Sequence, residues 1–218
     1  MNQTVETPVW LPVGHPDNPF SCEVLDCRAI ALSFASMTTD VTVITTFMQW
    51  QRSDGHDLKG QEPKDAVAVP GQVRLAGNYV LDGPLFIAPE MEHKWNLYAY
   101  DGRFYARRSW TGDLIHTATI MALPEELVLD NVQSNRDDAL YEIEFLLSWY
   151  VARRGFPFLI PENMFEITDA DLQRDPDARV TSVRMLMAFW GWTAYGRVAQ
   201  FGRRRAGNQD RPAIAPGQ

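Results

Sequence analysis

One stretch of the sequence, residues 95–123, limits the fold more than any other. It reads WNLYAYDGRFYARRSWTGDLIHTATIMAL, with aromatic and β-branched runs interrupted by Asp101-Gly102 and Thr111-Gly112. An Asp-Gly pair between such runs is a strong signal for a two-residue hairpin turn, because both turn positions need positive φ. The sequence therefore predicts a three-stranded antiparallel meander in this stretch.

The Asp-Gly turn also fixes the register of the first hairpin. It pairs Tyr100 with Arg103 and, at the far end, Trp95 with Arg108, whose guanidinium we expect to stack on the indole. Since side chains alternate between faces, one face is predicted to be core: Leu97, Ala99, Phe104 and Ala106. The opposite face is aromatic and charged: Tyr98, Tyr100, Arg103, Tyr105 and Arg107.

Further strands are predicted around this meander from short β-branched runs between Gly and Pro signals. They fall at 67–69, 73–75, 79–81 and 85–88. The third meander strand, 114–123, is apolar on both faces, which favours a central position. After Pro124, the residues Leu127, Leu129 and Val132 predict one further edge strand.

Helical patterns lie on both sides of the predicted sheet. One helix is expected at 40–52, capped by Thr38, Thr39 or Asp40, although Val41, Val43 and Thr45 would also suit a strand. Other helices are expected at 137–154 and 181–201. Residues 22–34 leave two interpretations open, a short strand at 22–26 followed by a helix, or one strand through Phe34. The polar stretch 53–66 predicts a solvent-exposed connection, with a lid or binding loop as the alternative.

These patterns together predict an α+β fold, a mostly antiparallel β-sheet with a meander at about 67–132, packed against flanking α-helices. The expected organisation is an extended N-terminal arm at 1–21, a single α+β domain at 22–202, and a basic, disordered C-terminal tail at 203–218.

Charge is unevenly distributed along the chain. Its net charge is −8, but residues 197–218 hold five arginines against Asp210, a net +4, so residues 1–196 carry −12. An acidic body argues against nucleic acid as a partner, because phosphate binding needs a basic surface. It favours a protein partner of basic character. Such a composition is typical, by analogy, of small bacterial binding or inhibitor proteins.

Several classes of chemistry lack their sequence signatures. GxxxxGK[ST], GxGxxG, GxSxG and HExxH are all absent, so we expect no cofactor and no metal. The two cysteines, Cys22 and Cys27, are expected to be buried free thiols. So few cysteines, no leader pattern and no apolar run near the ~20 residues that span a bilayer indicate a soluble cytoplasmic protein and no membrane partner.

Three carboxylates, Asp26, Glu142 and Glu144, are predicted to have structural and not catalytic roles. Asp26 lies within an apolar run, so we expect it to be buried and paired with an arginine. Glu142 and Glu144 are two residues apart on a helix and do not face each other, so they are predicted to be polar-face residues and not a catalytic pair.

The strongest candidate for a ligand surface is the aromatic face of the meander, with the second turn beside it. Tyrosine and arginine dominate interfaces because they supply rigid contact area and directional donors. The candidate binding residues are Tyr98, Tyr100, Tyr105, Arg107, Arg108, Trp110, Thr111 and His116. The alternative is that the C-terminal helices cover this face and make it core.

The sequence thus supports three functional hypotheses. The first is a non-enzymatic cytoplasmic protein-binding module, of the inhibitor or immunity type, with an acidic surface. The second is a small enzyme or sensor that binds an anionic small molecule or a nucleotide through Arg and His on the sheet. The third is a subunit of a larger assembly, docking through Trp190, Trp192 and Tyr195. The sequence leaves the oligomeric state open.

Overall fold

The computed structural model describes residues 8–31, 38–155, 157–161, 167–190 and 199–204. The chain forms two compact units, Met37–Arg154 and a second unit that joins Met1–Ser36 with Gly155–Gln218. The predicted division into arm, single domain and tail stays a prediction, since compactness alone does not define a folding domain. The predicted α+β class is confirmed.

The unit Met37–Arg154 is built on a seven-stranded antiparallel sheet. Its strands are β3 (Val67–Ala68), β4 (Val73–Ala76), β5 (Gly83–Phe86), β6 (Trp95–Tyr100), β7 (Arg103–Arg108), β8 (Leu114–Leu123) and β9 (Glu126–Ser134). They follow the order β3-β9-β8-β7-β6-β5, and β4 also pairs with β9.

The predicted register of the first hairpin is confirmed at every pair, from Tyr100 opposite Arg103 to Trp95 opposite Arg108. Asp101 and Gly102 have φ of 52° and 72°, as a two-residue type I′ turn requires. The predicted core face is also confirmed, because its four residues have 0% exposure: Leu97, Ala99, Phe104 and Ala106.

Two strand predictions were wrong. Residues 79–81 form no strand, and Val80 is 90% exposed, because the turn signals on either side leave too short a run to pair. The strand after Pro124 is not an edge strand. β9 pairs with β8 on one side and with β3 and β4 on the other, so non-local partners cover it.

Two helices complete this unit. α2 (Val41–Gln51) begins at Asp40, whose carboxylate accepts from the Thr42 N–H at 2.8 Å, so the predicted helix and one of its predicted caps are confirmed. α3 (Ala139–Leu146) continues into a π-helical turn, Leu147–Val151, within the predicted range 137–154. α3 packs against β4 and β9, and the π turn against β5.

The second unit holds a small mixed sheet. Its strands are β1 (Val9–Leu11), β2 (Val24–Asp26), β10 (Phe158–Pro161) and β11 (Gln200–Arg204), in the order β1-β2-β11-β10. β10 and β11 are parallel, and the other pairings are antiparallel. The helices are α1 (Arg28–Ala31), α4 (Asp169–Arg174) and α5 (Ala178–Trp190).

This unit decides between the two interpretations of residues 22–34. A strand ends at Asp26 and a helix begins at Arg28, while Phe34 lies outside the described residues. The Asp26 carboxylate accepts from Nε and Nη2 of Arg28, at 3.0 and 2.7 Å, so the predicted arginine partner is confirmed.

The last predicted helix is partly wrong. α5 is described to Trp190, and residues 200–204 form a strand instead of the end of a helix. The proposed docking residues Trp192 and Tyr195, and the tail from 205 to 218, lie outside the described residues. Among the described residues, no helix has both the length and the apolar character needed to cross a bilayer.

Candidate functional site

The aromatic face of the sheet lies under residues 53–62, which we call the covering segment. Seven of its ten residues are exposed, as predicted for a solvent-exposed connection, but Gly55 and Leu58 are buried, Leu58 with 2% exposure. Leu58 packs among Tyr98, Tyr100 and Tyr105, which are 0%, 6% and 1% exposed. The cover comes from a short 3₁₀ turn, His56–Leu58, and its neighbours.

The three tyrosine hydroxyls hold the backbone of the covering segment. Tyr98 donates to the Ser53 carbonyl at 3.4 Å, and Tyr100 donates to the carbonyl of Asp54. Tyr105 accepts from the Gly60 N–H at 3.1 Å. Burial raises the pKa of both Tyr98 and Tyr100 above the ordinary value for tyrosine.

Gly55 explains how the backbone approaches the aromatic face so closely. Its φ is 79°, and a Cβ placed there would lie 2.3 Å from Cδ1 of Tyr98. Only glycine meets both conditions without strain. The sequence thus encodes the close approach in a single residue of an otherwise polar loop.

Arg107 forms the first ion pair under the covering segment. Its Nη1 donates to Oδ1 of Asp57 at 3.2 Å, and its Nη2 also bonds this carboxylate. The guanidinium carbon lies 4.4 Å from the centre of the Trp50 ring. Hydrogen bonding by Arg107 lowers the pKa of Asp57 below its ordinary value. The Arg107 side chain is 5% exposed and that of Asp57 52%.

Glu62 forms a second attachment at the other end of the segment. It accepts from Nη2 of Arg103 and from Oγ1 of Thr117, both at 2.6 Å. Thr117 lies on β8, so Glu62 joins the covering segment to two strands. The segment is therefore held by apolar burial at Leu58 and by carboxylates on both sides of it.

His116 lies on the opposite face, in a fully buried polar network. Its Nδ1 is 2.9 Å from Ser134 Oγ, and its Nε2 is 3.0 Å from Oε2 of Glu142. His116, Ser134 and Glu142 have 0% exposure. Arg136 donates to both Glu142 oxygens, at 3.3 and 3.4 Å. The prediction of Glu142 as a polar-face residue is wrong, because it joins α3 to the sheet.

The Ser134–His116–Glu142 arrangement resembles a catalytic triad only in its residue types. A nucleophilic hydroxyl must reach a substrate and aim at it. Ser134 Oγ instead accepts from the Arg136 N–H at 2.9 Å and lies in a fully buried side chain. The network therefore satisfies buried polar groups and positions α3.

Arg108 and Lys94 lie beside this network. The Arg108 guanidinium is 4.7 Å from the centre of the Trp95 ring, which confirms the predicted stack. Burial, with Arg136 nearby, lowers the pKa of Arg108 to about 10. Burial, with Arg108 nearby, lowers the pKa of Lys94 to about 8. Lys94 Nζ lies 4.1 Å from the centre of the Trp110 ring, at the second turn.

The candidate binding residues thus fall into three places. Tyr98, Tyr100, Tyr105 and Arg107 lie together beneath the covering segment. Arg108 and His116 flank the Trp95 ring on the opposite face. At the second turn, the Trp110 indole donates to the Met91 carbonyl, and exposed Thr111 bonds Asp113. Whether any of these residues binds a ligand remains a prediction.

The sequence interpretation missed the acidic partners of these groups: Asp57, Glu62 and Glu142. The sequence did contain one indication that Glu142 is buried. It shares a helical stripe with Ala139, Ile143 and Leu146, all buried, so it had to face the sheet. Asp57 and Glu62 had no comparable local signal.

Cysteine and metal chemistry receive no support from the described residues. Cys22 and Cys27 are free thiols, Cys27 is fully buried, and burial raises the pKa of each thiol, which disfavours the reactive thiolate. Within the described ranges, no three His, Cys, Asp or Glu side chains come together in a way that could hold a metal ion.

Comparison with known proteins adds no relative to this description. No protein-family model, no curated protein and no solved structure matches the chain. A function for this α+β chain therefore has to be argued from its own charge, burial and geometry.

Proposed function

We propose that this chain is a cytoplasmic, non-enzymatic protein-binding module, of the inhibitor or immunity type, that recognises a basic partner through an acidic surface. One observation carries the proposal. The unit Met37–Arg154 has eleven Lys and Arg against seventeen Asp and Glu, a net charge of −6. Surplus charge of one sign attracts partners of the other and speeds their association.

Five of the eleven cations of this unit are paired with its own carboxylates. They are Lys59, Arg74, Arg103, Arg107 and Arg136. Each such pair cancels one positive and one negative charge. Six cations and twelve carboxylates are left outside these pairs, so the unit keeps an excess of negative charge, and Asp54, Asp82 and Glu125 are among its exposed carboxylates.

Part of this excess gathers at the end of the sheet that carries the Asp101-Gly102 turn. Asp54 and Asp82 both lie near Tyr100, beside that turn, and after burial their charges are the next causes that raise the pKa of its hydroxyl. Both are exposed, and so is Glu125 in the turn after β8. This end of the sheet is the part of the surface that we assign to the basic partner.

The contacts that the candidate binding residues make within the protein also argue against the enzyme hypothesis. Of the three groups expected to bind an anionic substrate, Arg107 bonds Asp57, His116 bonds Glu142, and Arg108 stacks on the Trp95 ring. A catalytic acid or base has to reach its substrate, whereas His116 has 0% exposure.

The test is retention of partners by the immobilised full chain at low and at high salt. We expect a basic partner that binds at low salt and is released at high salt, because surface charge is screened. Combining Asp54→Asn, Asp82→Asn and Glu125→Gln should weaken retention. A matched control combines Asp65→Asn, Glu90→Gln and Asp137→Asn, which removes three exposed carboxylates elsewhere in the same unit. The absence of any salt-sensitive partner would contradict the proposal.

One observation favours a second candidate, a sensor for a small anion. Arg107 is buried and already holds a carboxylate, while that carboxylate, Asp57, is half exposed and belongs to an irregular segment. A free phosphate or carboxylate of matching shape would compete with Asp57 for the guanidinium. A thermal-shift screen with nucleotides and phosphosugars tests this candidate. Stabilisation that Arg107→Gln abolishes would support it, and a flat response would exclude it.

A further inference from the structure

We infer that the outer end of β8, residues 120–123, is the docking site at which the basic partner adds an extended segment to the sheet. This inference rests on the proposed function, since it specifies where and how the partner of the acidic surface binds. Strand addition of this kind takes its affinity from backbone hydrogen bonds and its specificity from alternate side chains.

The ladder between β7 and β8 stops before β8 ends. The last paired residues are Arg103 and Thr119, and the Ile120 N–H then donates to the Gly102 carbonyl at 2.7 Å. Beyond that point β8 continues through Leu123 and pairs with β9 alone. Residues 121–123 therefore form an edge, although β8 is central over the rest of its length.

The backbone groups on this edge follow from the alternation of an antiparallel ladder. The N–H and C=O of one residue point to the same side, and successive residues point to opposite sides. The Ile120 N–H points to the β7 side, so both backbone groups of Ala122 point there as well. Among the described residues, neither group of Ala122 has a hydrogen-bond partner.

The side chains of the edge are apolar and exposed. Met121 and Leu123 lie on one face and are 37% and 46% exposed, and Ala122 between them is exposed too. Thr117, on the same face but within the paired part of β8, has 0% exposure. Glu62 of the covering segment bonds Thr117, so Met121 and Leu123 lie beyond the covered part of this face, within reach of the side chains of an added strand.

The edge also lacks the features by which proteins usually protect such strands. Exposed edges are normally blunted by a charge, a proline or a bulge. The sequence of 119–123 is TIMAL, and Pro124 comes only in the turn. The described register of 119–123 against β9 contains no bulge.

The charge around the edge of β8 favours a basic segment as the strand that binds there. Three of the cations near the edge are already paired, Lys59 with Asp101, Arg74 with Glu126, and Arg103, opposite Thr119, with Glu62. Glu125, in the turn after β8, and Asp130, opposite Thr119 on β9, add negative charge beside the edge. A second copy of the chain would bring another net charge of −8 to the same edge. Like charges oppose that pairing, so we assign the edge to a partner rich in lysine or arginine.

The experiment uses the full chain and a short peptide of alternating lysine and valine as the probe. A second peptide of the same sequence is N-methylated at alternate residues, which keeps its charge but removes the backbone donors. We expect fluorescence anisotropy to show salt-sensitive binding of the first peptide and binding of the methylated peptide weaker by about tenfold. Ala122→Pro should weaken the first peptide similarly, whereas Ala122→Val, which keeps the backbone donor, should not.

A second measurement does not depend on how Ala122→Pro folds. In the unmodified chain, the amide of Ala122 should exchange with deuterium more slowly once the peptide is bound. Salt-sensitive binding that is indifferent to N-methylation, with no protection of Ala122, would overturn the edge while leaving the acidic surface intact. Absence of any salt-sensitive binding would count against both proposals. A dimer that Ala122→Pro dissociates would replace the basic segment with a second copy.

Discussion

The two faces of the seven-stranded sheet are closed by different kinds of structure. On one face helix α3 brings Glu142 to His116, and both side chains have 0% exposure. On the other face the irregular covering segment brings Asp57 to Arg107, and the Asp57 side chain is 52% exposed. The same hairpin, β6 and β7, contributes residues to both faces.

The difference shows how burial decides the role of a polar contact. A carboxylate that is fully removed from water is tolerable only with partners for its charge and lone pairs, and Glu142 has His116 and Arg136. A half-exposed carboxylate keeps part of its hydration, so its ion pair contributes less than a fully buried one. The covering segment therefore depends more on the burial of Leu58 than on Asp57 or Glu62.

The largest effect is expected where a buried partner is removed. Glu142→Ala should lower the free energy of unfolding by about 3 to 5 kcal/mol, because Arg136 and His116 lose the carboxylate that they share. Urea denaturation measures this change. Glu144→Ala, on the same helix but only partly buried, is the matched control and should cost far less. Equal losses would show that the network does not hold α3 to the sheet.

The next effect concerns the apolar contact on the other face. Leu58→Ala should cost about 2 to 4 kcal/mol through lost burial and the cavity left behind. Leu123→Ala removes the same atoms from a side chain that is 46% exposed, and should cost little. Hydrogen exchange at Gly60, whose N–H bonds Tyr105, should accelerate in Leu58→Ala. Unchanged exchange would mean that the polar contacts alone hold the segment.

A smaller effect is expected at Asp57. Asp57→Asn should cost about 1 to 2 kcal/mol at neutral pH, since a charged hydrogen bond is lost at a half-exposed site. Arg107 lowers the folded-state pKa of Asp57. Its contribution is therefore full above the unfolded pKa of about 4 and disappears as pH falls through the lowered folded value.

The stability curves of wild type and Asp57→Asn should accordingly converge in acid, as urea denaturation at several pH values would show. Asp65→Asn, at another exposed carboxylate, is the control and should not change the pH dependence. A difference between wild type and Asp57→Asn that persists unchanged into acid would contradict an electrostatic origin.

The sequence predicts a feature of the sheet correctly where the contacts that determine it join residues close together in the chain. The register of β6 and β7 depends on the two residues of one turn, so the pairing of Trp95 with Arg108 and their stacking could be deduced. The position of β9 between β8 and the strands at 67–76 depends on partners far away in the chain, and its prediction failed.

The candidate site also has a part that could be predicted from local sequence and a part that could not. The tyrosines and Arg107 could be assigned to one face from alternation alone, but nothing local indicated what covers that face. The covering segment is polar apart from Leu58, and the decisive fit of Gly55 against Tyr98 exists only in the folded protein. Glu142 was misassigned because spacing from Glu144 was considered without the apolar stripe that it shares.

The smallest effect is expected for an ion pair between two exposed side chains. Lys59 Nζ lies 3.2 Å from Asp101, with side chains 38% and 74% exposed. Because solvent screens such a pair and ordering two mobile side chains costs entropy, its coupling energy should be no more than about 0.5 kcal/mol. A double-mutant cycle with Lys59→Ala and Asp101→Asn measures it, and asparagine keeps the positive φ of the turn. A coupling as large as that expected of Glu142 would mean that exposure does not separate the two kinds of contact in this sheet.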